Sequence, residues 1–125
     1  MKLKEYLKLS YNPICAGIVK MSLPRPALIC KDGFEVSVQA GEYLYCHPRQ
    51  DDCDYDEVEI GFMKPFDKWI VDELNKGYTN KSLSEEDVYG YVPIGMVDEL
   101  LEKHGGIDED KMLTLLTMEE LIDEP

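Results

Sequence analysis

The sequence is poor in basic side chains. It contains 13 lysine and arginine residues against 26 aspartate and glutamate residues, which gives a formal net charge of −13 at pH 7. Proteins that bind nucleic acid through its phosphates need a basic face, and anionic lipid surfaces attract clusters of lysine and arginine. The shortage of basic residues therefore argues against direct nucleic-acid binding and against binding to a membrane.

Long apolar runs are also lacking. The longest uncharged stretch lies between Leu9 and Lys20, and it contains Asn12, Pro13 and Gly17. Such a stretch is too short and too interrupted to span a bilayer. The charged N-terminal residues are not followed by the apolar core of a signal peptide. We therefore predict a cytoplasmic protein.

Close cysteine pairs are missing from the sequence. Its four cysteines are Cys15, Cys30, Cys46 and Cys53, and even the closest two have six residues between them. Structural zinc sites usually take ligands from pairs such as C-x₂-C, and disulfides are rare in proteins that are not exported. We predict free, mostly buried thiols, no bound metal and no cofactor.

Common catalytic motifs are absent as well, including the glycine-rich phosphate loop, G-x-S-x-G and H-E-x-x-H. One alternative stays open around Cys46, His47, Arg49 and Cys53, because a thiol and an imidazole can form a nucleophilic couple or bind a metal. Adjacent Cys46 and His47 would, however, point to opposite faces of a strand. We therefore favour a protein without catalytic residues.

What the sequence does contain is enough apolar material for one folded domain over residues 1–125. Hydrophobic residues make up 44% of the chain, which is sufficient for a core at this length. Patterns of period two predict strands, and patterns of period 3.6 predict helices. The predicted strands cover residues 14–19, 27–30, 34–39, 43–46, 55–62 and 88–92. The predicted helices are a short N-terminal segment and residues 65–76, 93–104 and 108–123.

These elements predict an α+β fold, in which an antiparallel sheet of four to five strands carries about three helices on one side. Asp32-Gly33 is a typical hairpin-turn signal. In the strand over 55–62, alternation places Val58, Ile60 and Phe62 on one face. The acidic C-terminal segment 107–125 has too many apolar residues for a free tail, so we expect it to dock on the domain.

Negative charge is concentrated in the second part of the chain. Residues 1–50 hold seven basic and four acidic residues, a balance of +3, whereas residues 51–125 hold six basic and 22 acidic residues, a balance of −16. Five carboxylates repel one another between Asp51 and Glu57, and a surface that tolerates this often faces a cationic partner. A purely solubilising role is the alternative. The predicted partner-binding residues are Tyr45, Arg49, Asp51, Asp52, Asp54, Tyr55, Asp56, Glu57 and Glu59.

Short segments between residues 33 and 107 carry a further pattern. They are Gly33–Phe34, Ser37–Ala40, Tyr45–Arg49, Val58–Phe62, Val88–Pro93 and Lys103–Ile107. This pattern resembles that of small uncharacterised proteins of gut-bacterial phages and prophages. The resemblance implies an accessory protein of a mobile element, located in the host cytoplasm, and it brings no known activity or site.

Charge and resemblance together predict a non-enzymatic accessory protein that binds a basic host protein. Small acidic phage proteins include inhibitors of host defence nucleases, some of which imitate the phosphates of nucleic acid, so an inhibitory acidic face is the leading interpretation. One alternative is a small metal-binding or enzymatic domain centred on Cys46, His47, Arg49 and Cys53. Another is a homo-oligomeric structural domain.

Overall fold

A computed structural model describes residues 1–16, 19–22, 24–77 and 88–123, with the backbone alone for 13–16, 19–22, 77 and 118–123. Helices and strands alternate irregularly along the chain, as expected for an α+β protein. The elements are α1 (Leu3–Leu9), β1 (Pro13–Ala16), β2 (Val19–Ser22), β3 (Leu28–Ile29), β4 (Glu35–Gln39), β5 (Glu57–Lys64), α2 (Lys68–Gly77), β6 (Val88–Pro93), α3 (Ile94–Lys103) and α4 (Glu109–Asp123).

The main sheet has four antiparallel strands in the order β3-β4-β5-β6, and β1 and β2 form a separate antiparallel hairpin. The predicted α+β class and antiparallel sheet are confirmed. Instead of one strand over 14–19, two strands meet there, with Ala16 paired to Val19. Within the described residues, every helix is too short or too polar to span a lipid bilayer.

One face of the main sheet packs against the helices. Alternate residues of β4 and β5, such as Val36 and Val38 or Val58 and Ile60, are fully buried, as period-two alternation predicts. The same core cluster includes the apolar stripes of the helices: Leu3, Tyr6, Leu7, Ile70, Val71, Leu74, Ile94, Val97, Leu100, Leu101 and Met112. The opposite residues of the strands keep contact with water, and we call this side the open face.

Two β-bulges change which residues reach the open face. Opposite β4, β5 contains one extra residue, because Glu35 pairs with Lys64 but Ser37 pairs with Gly61. The bulge places Phe62 in the left-handed region, with φ of 52°. Met63 therefore enters the core, while the Phe62 side chain is 51% exposed. The prediction that Phe62 lies on the same face of the strand as Val58 and Ile60 is wrong, because simple alternation stops at the bulge.

The strand predicted over Tyr43–Cys46 is also wrong, since this segment belongs to the loop between β4 and β5. The Leu44 N–H donates to the Gly41 carbonyl at 3.2 Å, and the Cys46 N–H donates to the Leu44 carbonyl at 2.9 Å. The backbone thus bonds to itself in tight turns. Its contact with β6 is a hydrogen bond from the Tyr91 N–H to the Tyr45 carbonyl at 2.8 Å, so its alternating side chains do not make it a strand of the sheet.

The start of α4 lies against β3. The Asp108 N–H donates to the Ile29 carbonyl at 2.8 Å, and the Ile29 N–H donates to Met112 Sδ at 3.3 Å. Ile107 and Met112 are buried in the core, whereas Leu113 is exposed. The first turns of the acidic C-terminal segment are therefore docked on the sheet. Residues 124 and 125 lie outside the described residues.

Candidate functional site

The predicted acidic cluster is partly neutralised by contacts within the chain. Lys4 Nζ forms an ion pair with Asp54 Oδ1 at 3.0 Å. The hydrogen bond that Lys4 donates in this pair lowers the pKa of the Asp54 carboxyl. Asp56 lies 3.1 Å from His47 Nδ1. Asp51 Oδ1 accepts the Glu42 N–H at 3.0 Å, which fastens the loop to itself. These three carboxylates therefore hold the loop in place in addition to carrying charge.

The other two carboxylates of the cluster, Asp52 and Glu57, have different settings. Asp52 is exposed, with a left-handed φ of 49° that aspartate tolerates better than most residues. Glu57 begins β5 and exchanges backbone hydrogen bonds with His47. Neither side chain belongs to an ion pair in the described part of the chain. Both keep a charge that can face a partner.

Tyr55 leaves the set of candidate contact residues, because its side chain is only 2% exposed. Its hydroxyl donates to the Gln50 carbonyl at 2.6 Å, and burial raises the pKa of Tyr55 to about 12. No local pattern indicates that this aromatic ring turns inward beneath the acidic loop. Tyr55 anchors that loop to the core.

Tyr45, another predicted contact residue, is exposed and held against β6. Its N–H donates to Glu59 Oε2 at 3.1 Å, and its carbonyl accepts the Tyr91 N–H at 2.8 Å. Gly90 makes this approach feasible, because a Cβ at that position would lie 2.6 Å from the Tyr45 Cβ. The Arg49 guanidinium lies 5.8 Å from the centre of the Tyr45 ring. Arg49 thus stacks on an aromatic side chain and joins no ion pair in the described residues.

Four exposed aromatic side chains gather around Glu59. They are Tyr43, Tyr45, Phe62 and Tyr91, and the Tyr43 side chain is the most exposed at 78%. The ring centres of Tyr45 and Tyr91 are 6.1 Å apart, whereas Tyr43, Phe62 and Glu59 line a common groove. We call these four residues, with Glu59, the aromatic face. Topology alone brings them together, since they come from a loop and two strands.

The groove beside the aromatic face has a volume of about 410 Å³. The apolar side chains of Tyr43, Leu44 and Phe62 line it, together with Ser37 of the open face and Glu59. Arg25 also lies in its lining, but the Arg25 side chain is almost entirely buried. The groove is thus mainly apolar and has one accessible carboxylate, a combination typical of ligand and side-chain pockets.

Backbone strain coincides with the aromatic face. Phe62 and Tyr91 have φ of 52° and 56°, and each lies at a bulge of the main sheet. A bulky residue in the left-handed region costs about 1–3 kcal/mol, and such residues cluster at functional sites. This left-handed backbone turns the side chains of Phe62 and Tyr91 outward, whereas regular strands would orient them differently. We take this as an independent indication that the aromatic face has a role beyond stability.

The geometry gives little support to the alternative of a metal-binding or enzymatic site centred on Cys46, His47, Arg49 and Cys53. Cys46 is buried, and its thiol donates a hydrogen bond to the Gly41 carbonyl at 3.2 Å. Burial raises the pKa of the Cys46 thiol. Burial likewise raises the pKa of Cys53, and that of Cys30 to about 12. His47 is exposed and faces Asp56. Within the described residues, no group of three histidine, cysteine or acidic side chains could hold a metal ion.

Thiol titration tests the prediction of free, unreactive cysteines. With a disulfide reagent, we expect Cys53 to react slowly in the native protein, and Cys30 and Cys46 to react only after unfolding, because their raised pKa values leave little thiolate at pH 8. All four thiols should react in denaturant, including Cys15, whose side chain lies outside the described residues. The Cys53→Ser variant identifies the native signal. One equivalent of zinc that survives dialysis, or a missing thiol, would contradict this account.

His104, directly after α3, lies between two carboxylates. His104 Nδ1 is 2.6 Å from Asp32 Oδ2, and Nε2 is 2.6 Å from Asp67 Oδ2. The ring also stacks on Phe34, with ring centres 3.8 Å apart and planes 8° from parallel. We call this group the Asp32–His104–Asp67 clamp. It joins the β3–β4 turn, the end of α3 and the residue before α2.

The charges of the clamp support one another. Burial alone lowers the pKa of His104, but the hydrogen bonds to Asp67 and Asp32 outweigh it and leave this pKa raised. The Phe34 N–H and then His104 lower the pKa of Asp32. Asp67 also accepts the Ile70 N–H at 3.0 Å and so caps α2. Because it joins three segments of the chain through hydrogen bonds, the clamp is a structural element.

Comparison with protein-family models, with curated proteins and with solved structures finds no match to this chain. A fold of this class would not by itself indicate an activity. The surface chemistry of the chain is therefore the basis for inferring its function.

Proposed function

We propose that the protein is a non-enzymatic accessory protein of phage type that binds a basic host protein through the aromatic face. The observation that carries the proposal is the gathering of Tyr43, Tyr45, Phe62 and Tyr91 around Glu59, on a chain with a net charge of −13. Contiguous exposed aromatic groups with a polar rim are typical of protein-binding surfaces.

The aromatic and acidic residues have separate roles in this proposal. Buried tyrosine and phenylalanine rings supply most of the binding energy at protein interfaces, because each removes a large apolar area from water. Carboxylates at the rim, such as Glu42, Asp52 and Glu57, attract a basic partner, raise the association rate and exclude acidic surfaces. The binding energy thus comes from the rings, and the choice of a basic partner comes from the charges.

The resemblance to phage proteins supports an inhibitory role, in which the protein covers a basic surface that its host target needs. Because Lys4 and His47 engage two carboxylates of the acidic cluster, we favour aromatic anchoring with an acidic rim over close imitation of a phosphate array. A homo-oligomer is disfavoured, since two chains that each carry a net charge of −13 repel each other.

Capture from a bacterial host lysate tests the proposal. We expect the Tyr43→Ser/Phe62→Asn variant to retain about a tenth or less of the captured basic protein, a loss consistent with two aromatic contacts. Asparagine is chosen at position 62 because it tolerates the left-handed backbone. The Leu9→Ser/Leu113→Ser variant, which alters two exposed apolar residues outside the groove, is the matched control. Equal capture by the two variants would contradict the proposal.

A further inference from the structure

We propose that the groove beside the aromatic face binds an arginine side chain of the basic partner. The inference rests on the proposed function and names the chemical group that the surface recognises. Its basis is a match of chemistry: Tyr43, Leu44 and Phe62 provide apolar walls, and Glu59 provides a carboxylate. Arginine has the complementary form, since an apolar stem carries its charged head.

The carboxylate of Glu59 is held in one orientation and can accept hydrogen bonds from the guanidinium. Its Oε2 accepts the Tyr45 N–H at 3.1 Å, which fixes the orientation of the carboxylate. Its other oxygen takes no hydrogen bond from the described residues, and the side chain is only partly exposed. A partly desolvated carboxylate forms charge-assisted hydrogen bonds that are stronger than neutral ones. An incoming guanidinium therefore meets an oriented acceptor.

The aromatic side chains favour arginine over lysine. A planar guanidinium stacks on aromatic faces and donates several hydrogen bonds at fixed angles, whereas an ammonium is compact and strongly hydrated. Arg49 of the same chain lies 5.8 Å from the centre of the Tyr45 ring, so an arginine can approach the rings of this face. Tyr43 and Phe62, which line the groove, offer comparable ring surfaces to an arginine from outside.

Arg25 is the cation that could oppose this binding, but its guanidinium is buried and hydrogen-bonded within the protein. It donates to the Ala40 carbonyl at 2.6 Å, the Leu7 carbonyl at 3.0 Å and Ser10 Oγ at 3.0 Å. The carbonyls at the end of α1 carry partial negative charge that offsets it. None of the described residues that line the groove is a lysine. The accessible charge there is thus the carboxylate of Glu59.

The capped tripeptide acetyl-Gly-Arg-Gly-amide is the probe for this site, with citrulline and lysine versions as comparisons. Titration into ¹⁵N-labelled protein should shift the backbone amides of residues 40–44, 59 and 62. We expect the arginine peptide to bind about tenfold more tightly than its neutral citrulline isostere, because only the charged guanidinium makes cation–π and charge-assisted contacts. The lysine peptide should bind more weakly than the arginine peptide.

Two glutamates of the open face, Glu35 of β4 and Glu59 of β5, provide a matched pair of variants. Glu59→Gln should weaken binding of the arginine peptide about tenfold, whereas Glu35→Gln, which removes the same charge outside the groove, should weaken it less than about twofold. Tyr43→Ser, at a highly exposed position, should also weaken binding and cannot disturb the core. Equal losses from Glu35→Gln and Glu59→Gln, or equal binding of arginine and citrulline peptides, would overturn the inference.

The two proposals fail in different ways. If the arginine peptide does not bind while capture from lysate still depends on Tyr43 and Phe62, the groove assignment is wrong and the proposed function stands. If the peptide binds at Glu59 but no host protein is captured, the groove assignment stands and the proposed function is wrong. A lysine peptide that binds as tightly as the arginine peptide overturns the assignment to arginine.

Discussion

Replacing His104 with alanine should lower the free energy of unfolding by about 3 kcal/mol near pH 6, in the range known for removal of one partner from a buried ion pair. The reason is that Asp67, which is only 11% exposed, loses the cation 2.6 Å from its carboxylate. The stacking of His104 on Phe34 is lost at the same time. Three segments of the chain then lose their common contact.

The effect of His104 should depend on pH in a defined direction. Because the folded pKa of His104 lies above its ordinary value of 6.5, its contribution is complete below that value and disappears as pH rises through the folded pKa. Asp32 has a folded pKa below its ordinary value of 3.8, so its contribution is present above 3.8 and disappears as pH falls through the folded pKa. The clamp is therefore strongest between these two ordinary values.

Urea denaturation followed by the fluorescence of Trp69, the single tryptophan, measures this effect. Trp69 lies beside the clamp, since Lys103 Nζ is 4.6 Å from the centre of its ring. His47→Ala is the matched control, because the other histidine of the chain is exposed and paired only with Asp56. A loss of stability equal in the two variants, or one that does not diminish at high pH, would refute the role of the clamp.

Replacing Arg25 with methionine should lower the free energy of unfolding by about 4 kcal/mol, because three acceptors lose their donors at about 1–3 kcal/mol each. Methionine keeps much of the apolar stem but none of the hydrogen bonds. The affected acceptors are the carbonyls of Leu7 and Ala40 and the Ser10 hydroxyl, and Arg25 itself is only 5% exposed. The end of α1 would lose its tie to the end of β4.

Arg49→Met provides the control for Arg25, since these are the two arginines of the chain and Arg49 is exposed. Its loss should cost about 0.5 kcal/mol, the value of an exposed cation–π contact. Arg25→Lys should be intermediate, because an ammonium keeps the charge but cannot reach all three acceptors at once. Equal stability of the methionine variants in urea denaturation would show that the Arg25 hydrogen bonds contribute little.

The regular parts of the fold were predictable because local patterns determine them. Alternation over residues 34–39, the stripe of Ile94, Val97, Leu100 and Leu101, and the turn at Asp32-Gly33 all appear in the structure as the sequence indicates. The failures at Tyr43–Cys46 and Phe62 have a different cause. Whether an alternating segment pairs with a neighbour, and where a strand bulges, depend on contacts with residues distant in sequence.

The candidate site was predictable only in part, for the same reason. Tyr45, Arg49 and Glu59 were identified from the acidic and aromatic composition of their segment, and all three contribute to or adjoin the aromatic face. Phe62 was not, because a bulge decides where its side chain points. The clamp joins residues 72 positions apart, and no local pattern reveals such a contact. A glycine between tyrosines, at Gly90, was the one local sign of a close approach.

Site-specific photo-crosslinking tests most directly whether the aromatic face is the surface that meets a basic partner. A photoreactive phenylalanine would replace Tyr43, which is 78% exposed beside the groove, or Leu9, which is 57% exposed on α1. From Tyr43 we expect one dominant adduct with a basic host protein, reduced by Glu59→Gln and by high salt because the attraction is partly electrostatic. From Leu9 we expect none. Adducts of equal yield from both positions, or an adduct from Leu9 alone, would contradict the central claim.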